Sequence, residues 1–279
     1  MTDQDPGSAD PRGRAGRADR ARRAGRAGRA DRARRVRPVV PVSRRVFLGA
    51  LGVAGTWSVV PRTPPAAAAA PAAPAAYTLR SRGDWGADES LRYAADGTEV
   101  WPPEYHPVQT LTVHHTDDRS TDPDPAAVVR AIYRNDAVGK GYGDIGYHFL
   151  IDRDGRVYEG RWSGTDGTPA HDAAGRLVTG AHVLGYNTGN IGIALLGTLT
   201  TTPASAAART ALLQLLAELA GRHTLAPLGK VLYRNPVSGV GRAAPVIGGH
   251  RHWAATDCPG TLFADMPAIR AETAALIGG

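Results

Sequence analysis

From residue 77 onward, apolar residues recur in short runs and at helical spacing. Leu111-Thr112-Val113 is a β-type run that ends on His114-His115. Asp124-Pro125 opens a helix predicted to run to Asn135: proline suits a first turn, whose N–H groups lack helical partners, and Val128, Val129 and Ile132 repeat at helical spacing. Residues 147–151 read as a strand, Asp154-Gly155 as a hairpin turn and residues 156–159 as the return strand. Residues 163–180, rich in Gly, Asp and Thr, read as a long surface loop. The mostly apolar run 190–197 predicts a central strand, because a strand covered on both faces has no polar side to show. Thr202-Pro203 reads as the cap of a helix that turns Leu212, Leu213, Leu216 and Leu219 to the core. Residues 226–245 read as a Gly/Pro-rich connection, Val246-Ile247 as a short strand leading into Gly248-Gly249-His250, and residues 262–277 as a last helix. Strands and helices mix along the chain, and no Gly-rich phosphate loop joins one to the next. The expectation is an α/β fold: one domain over residues 77–279 with a mixed central β-sheet flanked by helices. A domain of about 200 residues hides roughly 70% of its unfolded surface, enough for a core without a disulfide.

Charge changes the picture before residue 77. Residues 1–76 hold 15 of the 33 Lys and Arg but 5 of the 26 Asp and Glu, a net charge of +10. Residues 77–279 carry 18 basic and 21 acidic residues, a net charge of −3. The whole-chain +7 therefore belongs to the leader and gives no argument for nucleic-acid binding by the folded part. Residues 1–37 are an Arg/Ala/Gly/Asp run with too few apolar side chains to offset the entropy of ordering, so disorder is expected. Ser43-Arg44-Arg45-Val46-Phe47-Leu48, followed by the apolar stretch 49–60, resembles a twin-arginine export signal. That stretch is shorter than the ~20 apolar residues a membrane-spanning helix needs. Pro/Ala-rich residues 61–76 include Ala73-Pro74-Ala75, one of several small-residue sites suited to a signal peptidase. The expectation is a secreted or wall-associated monomer with no stable membrane anchor after cleavage.

The candidate chemistry begins at Cys258, the single cysteine. An exported lone thiol has no internal partner and is open to oxidation. Its neighbours Thr256, Asp257, Pro259 and Gly260 form a polar turn rather than a core strand. His250 lies eight positions earlier, after a Gly-Gly pair at a strand end. Thiolate with imidazole is a good zinc donor set, and a third ligand from the strand-end histidines, His114 or its neighbour, would leave one tetrahedral position open, as in catalytic sites. Among the nine histidines, His106, His171 and His223 sit in loop-like or helix-end contexts and read as structural. His115, His148, His182 and His252 lie near the motifs and are candidates for lining a cleft or orienting ligands through hydrogen bonds.

Five ordered blocks resemble the peptidoglycan recognition proteins and their type 2 N-acetylmuramoyl-L-alanine amidase relatives: LTVHHT at 111–116, DIGYHFLI at 144–151, DGRVYEGR at 154–161, GAHVLGYNTGNIGIALLG at 180–197 and GHRHWAATDCPG at 249–260. The resemblance implies a mixed sheet flanked by helices with a zinc cleft at one edge. It assigns the zinc ligands to His114, the first of the pair, with His250 and Cys258. It places Tyr147 near the metal and Thr256 at a polar position that assists catalysis in many members. The implied substrate is peptidoglycan or its muropeptides, cut at the amide between the lactyl group of N-acetylmuramic acid and L-alanine. Some members lack the cysteine and only bind peptidoglycan; the retained Cys258 argues against a purely binding module. A zinc peptidase of another kind is disfavoured because no H-E-x-x-H helix is present. Three features depart from the family pattern: Tyr142 stands where Trp is expected, Asp136 where relatives often have His, and the loop 163–179 is long.

Overall fold

The computed structural model describes residues 77–118 and 122–278. The basic leader, the twin-arginine motif and the cleavage sites lie outside the described residues. In chain order the strands are β1 (Leu79–Arg80), β2 (Tyr105–His106), β3 (Thr110–His115), β4 (Phe149–Ile151), β5 (Val157–Glu159), β6 (Leu177–Val178), β7 (Asn190–Leu195), β8 (Lys230–Arg234), β9 (Gly241–Pro245) and β10 (Ile247–Gly249). The α-helices are α1 (Pro125–Arg134), α2 (Ala206–Arg222) and α3 (Leu262–Gly278). No helix among the described residues is long and apolar enough to cross a membrane.

Six strands form one sheet in the order β1-β5-β4-β7-β3-β10, parallel throughout except at the β4–β5 hairpin. β7 lies inside this sheet, and all six of its residues are buried. Its side chains alternate between the two faces, as a period of two requires. Ile191, Ile193 and Leu195 join Leu212 and Leu216 of α2 and Met266 and Ile269 of α3 in one apolar cluster. On the other face, Val129 and Tyr133 of α1 pack with Trp85, Leu150 and Tyr158. Each fully buried Leu or Ile contributes about 1.5–3 kcal/mol relative to exposure. The mixed sheet flanked by helices is the architecture expected from the sequence.

α1 starts as its sequence dictates. The Asp124 carboxylate accepts the Ala126 N–H at 3.0 Å, and Pro125 fills the first turn. The helix then widens into a single π turn over Asn135–Gly139 that buries Asp136.

Three expectations need correction. The cap of α2 is Ser205, whose hydroxyl accepts the Ala208 N–H at 3.1 Å; Thr202-Pro203 lies in the turn before it. Residues 226–245 are more than a connection: β8 and β9 form an antiparallel hairpin with Tyr233 fully buried. The run Lys-Val-Leu-Tyr-Arg places three apolar residues in a row, with Leu232 exposed, so no alternation marked the strand between its flanking Gly and Pro residues. The loop 163–180 carries β6, which pairs with β2 and ties the loop to the body.

Candidate metal centre

Strand geometry separates the adjacent histidines of β3. Leu111 and Val113 point into the cluster beneath α2 and α3. His114 points to the opposite face, where its ring lies 5.3 Å from that of Tyr147. His115 alternates back, and its Nδ1 accepts the Leu199 N–H at 2.9 Å. β10 pairs with β3 in a register that sets Gly249 beside Val113. The next residues, His250 and His114, are therefore neighbours, with ring centroids 4.6 Å apart. Gly249 is required for close approach: a Cβ there would stand 2.8 Å from Pro259 of the ligand loop.

That loop brings Cys258 back under the end of β3. The His115 N–H donates to Cys258 Sγ at 3.3 Å. The Thr256 hydroxyl accepts the Cys258 N–H at 3.2 Å, while the Arg251 guanidinium donates to the Thr256 carbonyl at 2.9 Å and to the Asp257 carbonyl at 3.2 Å. Thr256 thus shapes the turn that presents the thiol.

One donor atom from each of His114, His250 and Cys258 lies within 4.8 Å of the others, and Cys258 Sγ stands 3.6 Å from His114 Nδ1. Tetrahedral zinc with bonds of about 2.0–2.3 Å sets its donors roughly 3.3–3.8 Å apart, so the His114–Cys258 pair already has zinc spacing and the widest pair of the set would have to close by at most about 1 Å. Burial, reinforced by His182 and His250, holds His114 well below the ordinary histidine range, leaving it neutral with a lone pair to give. Burial pushes the Cys258 thiol up to about 12. A thiolate here needs a cation beside it, which a divalent metal supplies.

Behind His114, its Nε2 lies 3.0 Å from His182 Nδ1, and His182 Nε2 lies 2.9 Å from the Asn190 carbonyl oxygen of β7. The Asn187 side chain accepts the N–H groups of His182 and Val183 and holds the loop in place. The Tyr147 hydroxyl makes no hydrogen bond among the described residues, and burial raises its pKa. The backbone before Tyr147 is pinned by Asp136, which accepts the Gly146 N–H at 3.0 Å and pairs with Lys140 at 2.7 Å.

The other histidines stand away from the donor cluster. His148 accepts the Gly192 N–H and donates to the Val178 carbonyl. His252 turns back on the Gly249 backbone and lies tilted against the Phe263 ring. His106 lies in β2, and His171 pairs with His223, Nε2 to Nε2 at 2.9 Å, where the long loop meets the end of α2.

Sequence reasoning missed a buried ion network that supports the site. Asp144 takes Arg82 at 3.0 Å and Arg161 at 2.7 Å, together with the N–H groups of Ile145 and Trp162. Asp144 and Arg161 stand in two of the five motif blocks, so those blocks carried the signal without revealing that their charges meet.

Known proteins resemble this chain in sequence and in fold. The N-acetylmuramoyl-L-alanine amidase family profile matches residues 104–261, more than half of the chain. Peptidoglycan-recognition protein SC2 of Drosophila melanogaster is 30% identical over 188 residues, covering 66% of this chain and 81% of that protein. The human N-acetylmuramoyl-L-alanine amidase is 34% identical over 169 residues, covering 57% of this chain and 24% of that protein. The solved structure of wild-type Drosophila PGRP-LB matches with a TM-score of 0.50 and 26% identity, covering 69% of this chain and 94% of that one. The sheet, the order of motifs and these matches agree: the chain belongs to the N-acetylmuramoyl-L-alanine amidase family.

Proposed function

We propose that the protein is a zinc-dependent N-acetylmuramoyl-L-alanine amidase. Its substrate is peptidoglycan or released muropeptides, cut between the lactyl group of N-acetylmuramic acid and L-alanine. The observation that carries this reading is the convergence of His114, His250 and Cys258 in a chain of this family. A module that only bound peptidoglycan would have no use for a buried thiol beside two imidazoles. Zinc bound there supplies Lewis acidity toward a carbonyl and acidifies water to a pKa of about 7.

The chain's own groups do the rest. The His115 N–H steadies the Cys258 sulfur as it loses its proton. Tyr147, with its hydroxyl uncommitted, donates a hydrogen bond to the substrate oxygen that gains charge, an effect worth most in a site that excludes water. Thr256 holds the Cys258 amide and so sets the thiol's direction. The twin-arginine motif would deliver the folded protein to the cell exterior, where its substrate lies.

Digestion of purified cell wall, with and without a chelator, tests the reaction when read by mass spectrometry. Free stem peptides with intact glycan are expected, and the chelator should stop their release. Cys258→Ala should abolish both zinc binding and release while leaving the core folded. Cut glycan strands, internally cut peptides or full activity of metal-free Cys258→Ala would each defeat the proposal.

A further inference from the structure

The hydrogen bonds behind His114 decide where its proton sits. They run in one line from β3 to β7 and end on a backbone carbonyl. The Asn190 carbonyl oxygen can only accept. His182 Nε2, at 2.9 Å, must therefore carry the proton of that bond. That proton is the one N–H of a neutral imidazole, and among the described residues no carboxylate stands against His182 to hold a second, so its Nδ1 is an acceptor. His114 Nε2, 3.0 Å away, must then be the donor. A neutral ring protonated at Nε2 has its lone pair at Nδ1, the atom that stands 3.6 Å from Cys258 Sγ. His148, whose ring also abuts His182, cannot compete, because both its nitrogens are already used.

We propose that His182 is a positioning residue that locks His114 in the Nε2–H tautomer and so commits Nδ1 as the metal donor. The proposal rests on the metal reading of the three-donor cluster. It also explains a glycine in a strand otherwise suited to larger residues. A Cβ on Gly192 would stand 2.5 Å from Cγ of His182, so the ring lies where only a glycine leaves room.

The test uses the full chain, metal-free and labelled with 15N-histidine, with spectra assigned by single-histidine variants. His114 in the wild type should show Nε2 protonated and Nδ1 bare. In His182→Leu that signature should give way to a tautomer mixture, and zinc affinity from chelator competition should fall about 10–100-fold. His182→Gln offers an amide oxygen to the same N–H and should recover most of the affinity. Gly192→Ala leaves His182 present but displaces its ring, and should weaken zinc in the same direction. A proton on His114 Nδ1 in the wild type would overturn the proposal. So would a folded His182→Leu protein with unchanged tautomer and unchanged zinc affinity. If His182→Leu does not fold, the wild-type spectrum and Gly192→Ala still decide. A wild-type protein that binds no zinc would instead defeat the metal reading, while the metal-free spectrum would still decide the relay.

Discussion

Replacing Asp144 by alanine removes one carboxylate and strands four donors. Its two oxygens take the guanidinium groups of Arg82 and Arg161 at 3.0 and 2.7 Å, and the N–H groups of Ile145 and Trp162 at 2.8 and 2.9 Å. Asp144 and Arg161 are both fully buried, and Arg82 is nearly so. Arg82 would keep Glu89 as a counter-ion. Arg161 would keep only carbonyls, Trp101 foremost at 2.6 Å, and the Trp101 ring. Breaking a buried pair from one side costs about 3–5 kcal/mol, against a total stability of about 5–15 kcal/mol. With a urea m-value of about 2 kcal/mol/M, the midpoint should fall by about 1.5–2.5 M at unchanged m. The assay is urea unfolding of the metal-free full chain followed by tryptophan fluorescence, so that bound zinc cannot mask the loss. Activity should suffer beyond the stability loss, because the Arg161 N–H also holds the Tyr147 carbonyl at 2.8 Å. A loss below about 1 kcal/mol would refute the reasoning, since it would mean that water solvates the stranded guanidinium groups.

Two further outcomes are expected. Ser205→Ala should destabilise the protein by about 0.5–2 kcal/mol in the same assay, whereas Thr202→Ala should cost less, because Ser205 alone of the two bonds the first-turn N–H. Burial lowers both members of the His171–His223 pair, His223 to about 4, while an unfolded histidine titrates near 6.5. Between those values the unfolded chain binds protons the folded pair refuses, so this contribution is complete above about pH 6.5 and is lost as pH falls toward 4. His223→Gln should flatten that part of the stability profile, and an unchanged slope would show that the pair does not titrate as a buried unit.

Much of the fold was legible because it follows from short-range rules. Val128, Val129 and Ile132 announced α1, and the run from Asn190 announced β7. The errors came where two local signals competed. At the start of α2 both Thr202 and Ser205 are chemically able to cap, and only the path of the backbone chooses. In residues 226–245 the Gly and Pro residues outweighed the apolar run Val231-Leu232-Tyr233, which proved to be β8 with Leu232 exposed. β2 and β6 are two residues each, too short for any period to show.

The site divides in the same way. The sequence by itself determined the donor chemistry: one thiol, histidines beside it, and motif blocks whose order marks the family. It could not say on physical grounds which histidine of the His114–His115 pair joins His250 and Cys258. Tertiary structure decided that, because neighbours on a strand point to opposite faces and only the sheet's position between helices tells which face holds the cleft. It likewise set His182, one of four candidate histidines, against His114 and joined Asp144 to Arg161 across 17 residues. Hydrogen bonds and ion pairs act over about 3 Å, and it is folding, not order along the chain, that brings such groups within reach.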